Sequence, residues 1–117
     1  MSESILREKS KTFAKEIIFL CRKLKENKVE GVILNQLLRS GTSIGANVHE
    51  AQYAQGTKDF ISKFEIALKE CNESEYWLEL LFKTYSLSES DYNIFHGYCV
   101  ELRRMLVSSV TTLKERL

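Results

Sequence analysis

Residues 41–45 read Gly-Thr-Ser-Ile-Gly, which is the G-x-S-x-G spacing of a hydrolase nucleophile elbow with Ser43 at the reactive position. An elbow lifts its serine on a sharp turn between a strand and a helix, above a parallel sheet. Here the preceding stretch, VILNQLLRS, carries an apolar spacing of three and four straight on into GTSIGANVHEA. That spacing predicts a helix through Ser43, not a strand before it. The pair His49-Glu50 opens the zinc motif H-E-x-x-H, but the next required position holds Tyr53. Glu70, Asn72 and Glu73 do not make the Glu-x-x-His pattern of a di-iron bundle, and no G-x-x-x-x-G-K-[ST] phosphate loop occurs. The sequence therefore assigns no catalytic residue, no metal ligand and no cofactor.

Two other patterns around Ser43 need an account. Gly41 and Gly45 are four residues apart, on one helix face. Each glycine inside a helix costs about 0.5–1 kcal/mol against alanine, so a close helix contact is expected in compensation. By analogy with small-residue spacings in membranes, both are candidates for an oligomer interface. Beside them, Ser40, Ser43, Asn47 and Glu50 follow steps of three and four with Arg39 at their head. A solvated face more often carries Lys and Glu. The stripe is read either as a semi-buried hydrogen-bonding seam or as the wall of a polar ligand groove, in which His49 would take part.

The cations Arg22, Lys23, Lys25 and Lys28 cluster where the first helix should end, and Arg103 and Arg104 add to the candidates for phosphate contact. Cations at a helix C-terminus also stabilise the macrodipole without any ligand. Net charge is +1, so bulk charge does not argue for nucleic acid, yet the distribution is uneven. Residues 1–28 are basic and residues 58–85 acidic. Tyr76 and Trp77 are adjacent large aromatics, expected to be partly exposed in a monomer and buried in an oligomer.

The elements that must position these residues follow from periodicity. The chain has 117 residues, 44% hydrophobic and 28% charged, with no proline. That is enough for one domain, residues 1–117, with a core that needs no disulfide. Four apolar stripes step by three and four. They are Leu6 to Leu24 through Ser10, Phe13, Ile17 and Leu20; Leu34 to Ala51 through Gly41; Phe60 to Tyr85 through Cys71 and Ser74; and Phe95 to Leu113 through Cys99. They predict helices near residues 4–27, 32–55, 58–85 and 91–116. Ser2 or Ser4 is the expected first cap, Thr57 the third, and SLSESD a loop that caps the fourth. Short connections predict an all-α, antiparallel, up-down-up-down bundle. Cys21, Cys71 and Cys99 fall on apolar stripes and are read as reduced core thiols. No signal-peptide or membrane segment is recognisable, so a cytoplasmic protein is expected.

The stretch QLLRSGTSIGANVHEA, followed by KDFISKFEIALKECNESEYWLELL, resembles the bacterial family of proteins encoded in intervening sequences of large-subunit ribosomal RNA genes. That family is distantly related to the accessory variability determinant of diversity-generating retroelements. Arg39, Ser40, Ser43, Ile44, Asn47 and Glu50 carry the most specific part of the likeness, and Ala67, Leu68, Glu70, Tyr76, Trp77 and Leu78 match in the third helix. Many relatives have glycine where this chain has Ala51, which predicts a more continuous second helix here. The resemblance implies a four-helix bundle forming a cyclic homo-oligomer, a pentamer, with no catalysis. It also implies a possible RNA or nucleic-acid-processing protein as partner. A small-ligand or metal-binding bundle is the alternative.

Overall fold

The computed structural model describes residues 2–117, with side chains from Glu3 onward. It consists of α1 (Ser2–Glu26), α2 (Gly31–Ala51), α3 (Thr57–Lys83) and α4 (Glu89–Glu115). There is no strand among the described residues. Each helix packs against its neighbours in sequence, and α1 and α4 touch least. Ion pairs link the helices in opposite numerical order. Lys9 meets Glu101 and Lys23 meets Asp91 between α1 and α4. Glu50 meets Lys63 and Arg39 meets Glu73 between α2 and α3, while Glu65 meets Lys114 and Glu75 meets Arg103 between α3 and α4.

The predicted stripes are the core. All six positions from Leu6 to Leu24, and all six from Leu34 to Ala51, are buried. Burying these side chains is the main driving force for the fold, at about 1.5–3 kcal/mol for each large one. The third stripe fails at both ends, since Phe60 is half-buried and Ile61 takes the core position beside it. Tyr85 is 96% exposed because the helix stops first, at Lys83. Ser109 is likewise only half-buried, and Val110 takes the core position next to it.

Two helices end without proline or glycine. Lys28 (φ 62°) and Tyr85 (φ 65°) adopt the left-handed conformation just past α1 and α3. After α1 the amide of Lys28 donates to the carbonyl of Lys25, and that of Val29 to that of Leu24. After α3 the amides of Tyr85 and Ser86 donate to the carbonyls of Phe82 and Leu81. This paired pattern satisfies carbonyls that a helix end otherwise leaves free.

The α2–α3 connection departs from the sequence expectation. α2 stops at Ala51, not near residue 55, although alanine stands where glycine is common. Beyond Ala51 nothing is left to bury on that stripe, and the amides of Gln52, Tyr53 and Ala54 tighten to three-residue bonds. Thr57 does not cap α3. The cap position is Gly56, whose φ of 154° and ψ of 175° suit glycine alone. The Asp59 carboxylate instead accepts from the amide of Gln55 at 3.1 Å. At α4 the expected loop does cap, with Ser88 Oγ accepting from the amide of Asp91. Ser4 lies inside α1, and the Ser2 side chain falls outside the described ones.

Candidate interaction surfaces

The polar stripe of α2 divides into two kinds of residue. Arg39, Ser40 and Glu50 reach α3. The Arg39 guanidinium donates to both oxygens of Glu70 at 3.2 Å and clasps Glu73 closely, and these carboxylates hold its pKa above the ordinary value. Ser40 is fully buried and donates to the Leu37 carbonyl. The equally buried Ser74 hydroxyl lies 2.9 Å from both Ser40 Oγ and the Glu70 carbonyl. This hydroxyl pair sits where α2 and α3 meet, so buried polar groups are satisfied within the bundle. Ser43 and Asn47 behave differently. The Ser43 hydroxyl donates to the Arg39 carbonyl at 2.7 Å, and the Asn47 amide to the Ser43 carbonyl at 2.9 Å. The proton of Ser43 thus goes to its own helix, with the backbone helical on both sides.

Gly41 and Gly45 both have close neighbours within their own chain. A Cβ at Gly41 would stand 3.0 Å from Cγ1 and Cγ2 of Ile17, and one at Gly45 3.2 Å from the carbonyl oxygen of Ser10. The close approach they permit is made to α1 of the same chain.

The cation candidates do not form one patch. Lys23 pairs with Asp91 at 3.4 Å. Arg103 forms a two-point contact with Glu75 at 2.9 and 3.2 Å and reaches Asn72, so it belongs to the α3–α4 contact. Arg104 is exposed but lies about 20 Å along α4 from the Asp91 level, at 1.5 Å per residue. Arg22, Lys25 and Lys28 remain exposed near the α1 terminus, with the Arg22 guanidinium 5.9 Å above the Phe19 ring.

Sequence reasoning missed the polar and aromatic cluster between α3 and α4. His96 Nδ1 lies 3.2 Å from Glu75 Oε2, beside Arg103. Phe82, Tyr92 and His96 stack in series, with centroids 4.6 and 5.5 Å apart. The seven-residue step from His96 to Arg103 hinted at a shared face, but nothing in the sequence named Glu75 as the partner of both.

Tyr76 is 56% exposed and Trp77 half-buried, as expected for the monomer. Their rings meet edge to face at 4.9 Å. Among the described residues the buried indole N–H of Trp77 finds no acceptor.

The three cysteines are free and buried. Burial pushes the Cys21 thiol up to about 11, while contact with the Cys71 thiol, and then burial, raise that of Cys99. The same contact with Cys99 lowers the Cys71 thiol, so its protection rests on burial alone, at 0% exposure. All three thiols are buried, so native protein at pH 8 is expected to resist Ellman's reagent for many minutes and to react fully in guanidinium. The Cys21 thiol should also make stability pH-dependent. Above the ordinary pKa of 9.0 the unfolded thiol loses its proton first, so stability falls as pH rises through about 11. Rapid labelling of native protein, or a melting temperature unchanged from pH 8 to 10.5, would contradict this.

Three comparisons bear on the chain. A family model described as 23S rRNA-intervening sequence protein matches residues 2–108. The crystal structure of a protein with unknown function from the S23 ribosomal protein family of Bacteroides thetaiotaomicron VPI-5482 shares 43% identity with it and superposes with a TM-score of 0.92. The match covers 95% of this chain and 99% of that one. No curated protein matches.

Proposed function

The chain belongs to the 23S rRNA-intervening sequence protein family, and from that premise we propose that it is a subunit of a non-enzymatic interaction scaffold. The subunit is an antiparallel, up-down-up-down bundle, a topology supported by the opposite numbering of the ion-paired helices. Subunits close into a cyclic homo-oligomer, a pentamer, that works in the cytoplasm and offers its surface to RNA or protein. No helix among the described residues is long and apolar enough to cross a membrane.

The observation that carries this reading is the Tyr76–Trp77 pair. Large aromatic side chains dominate interface energetics, and here the Tyr76 ring stands mostly in water, edge to face with a Trp77 ring that is only half-buried. Cyclic symmetry would bury such a patch once per subunit. The helical setting of Ser43, whose hydroxyl is bonded to its own backbone, supports a role without catalysis. Light scattering at micromolar concentration tests the scaffold. A mass several times the 13.6 kDa of one chain is expected. A stable species of 13.6 kDa would overturn the assembly and the function built on it.

A further inference from the structure

The basic character of α1 is sorted by face. Lys9 and Lys23 turn toward α4 and are paired there with Glu101 and Asp91. Arg7 and Lys11 lie on the other flank, where they line an open groove of about 710 Å³ whose α2 wall includes Thr42, Gly45, Ala46 and His49. Steps of three, four and seven residues carry that flank on to Lys15, Arg22 and Lys25. Among the described residues, none of these five cations has a carboxylate within 4.0 Å. α2 supplies little to neutralise them, since its one acid, Glu50, is paired with Lys63 of α3. Glu8 borders the groove as its remaining carboxylate. The result is a positive strip about 27 Å long, from 18 residues at 1.5 Å each.

Exposed rings flank the strip near its α1 N-terminal end and between Lys15 and Arg22. Tyr53 is 74% exposed, with its ring 5.7 Å from that of His49 in the groove wall. Phe19 is 52% exposed beneath the Arg22 guanidinium. Cations that track a phosphate chain, interleaved with rings on which bases stack, are the means by which proteins hold single strands. Thr42, Ser4 and Gln52 add hydroxyl and amide groups in the same groove, suited to a ribose 2′-hydroxyl.

We infer that the flank of α1 facing α2 binds single-stranded RNA. Arg7, Lys11, Lys15, Arg22 and Lys25 contact successive phosphates, and Tyr53 with His49 receives a base. This deepens the scaffold reading by naming RNA as its partner and placing the contact away from Tyr76 and Trp77.

The test is fluorescence anisotropy of the full-length protein with labelled oligo(U) of 20 nucleotides, an equal oligo(dT) and a duplex RNA, at 50–200 mM salt. Five phosphate contacts on a single strand predict a log–log salt slope near −3.5, or about 100-fold weaker binding at 200 than at 50 mM. Replacing Arg7→Gln and Lys11→Gln together should flatten the slope by about 1.4. Tyr53→Ala should weaken binding about fivefold or more. Lys58→Gln with Lys69→Gln, exposed on α3, should change nothing. Absence of oligo(U) binding at 50 mM salt, or strip variants that bind as wild type, would overturn the inference. So would oligo(dT) or duplex RNA binding as tightly as oligo(U). Light scattering of the same samples keeps the two readings apart. A monomer that binds RNA through the strip sinks the assembly alone, and an intact oligomer that ignores RNA sinks the strip alone.

Discussion

Gly41→Leu is expected to lower folding stability by about 2–3 kcal/mol. Gly41 is buried, and the first added carbon would already stand 3.0 Å from two carbons of Ile17, itself fully buried. A leucine adds three more carbons in the same direction, so α1 and α2 must separate or Ile17 must leave its rotamer. Relief of the glycine penalty in the helix returns only about 0.8–1 kcal/mol. For a chain of this length each kcal/mol moves the melting temperature by about 4 °C, giving a drop of roughly 10 °C. Two alanine variants sharpen the argument. Gly41→Ala should be close to neutral, because the Ile17 side chain can give by a few tenths of an ångström while the helix gains propensity. Gly45→Ala should be the worse of the two. Its Cβ would meet the Ser10 carbonyl oxygen at 3.2 Å, and backbone cannot rotate aside. Urea titrations followed by circular dichroism measure all three. A Gly41→Leu protein as stable as wild type would show that the two helices are not held at this distance.

Trp77→Ala is expected to dissolve the proposed assembly into smaller species. Truncating an interface anchor of this type costs about 2 kcal/mol or more, roughly 30-fold in affinity per contact. In a closed ring every subunit loses the contact, so the effect on the full assembly multiplies. Trp77 also packs against the core of its own subunit, so a fall in mass alone would be ambiguous. Tyr76→Ala resolves this, because the mostly exposed tyrosine contributes little to the monomer. Both variants should scatter as smaller particles while keeping a helical spectrum and a cooperative melt. Lys15→Ala, on the exposed side of α1, should keep the parent mass. Folded Trp77→Ala and Tyr76→Ala proteins that both retain the wild-type mass would remove this pair from the interface.

The four helices and their inner faces were legible in the sequence because periodicity reports burial directly. A side chain every three or four residues from Leu6 to Leu24, or from Leu34 to Ala51, can face only one way once the backbone is helical. The dismissal of an elbow at Ser43 rests on the same periodicity. The end of the fourth helix's stripe and the Tyr85 position were misplaced, because helix ends depend on local turn geometry. Lys28 and Tyr85 adopt the left-handed conformation without the glycine that would announce it.

What the stripe could not reveal was partnership. Gly41 and Gly45 announced a close contact, but only the packed structure decided that Ile17 and Ser10 of the same chain provide it. Arg39 and Ser40 announced a polar seam, and tertiary structure supplied Glu70, Glu73 and Ser74. The six cation candidates looked alike in sequence, yet Lys23 and Arg103 proved to be tied to acids on other helices. Arg7, Lys11 and Lys15 were passed over entirely. The physical reason is common to all of these. Helical periodicity is a property of one segment, carried by its own residues. The charge left on a surface depends on which carboxylates other helices bring within reach, and that is fixed only when distant parts of the chain pack together.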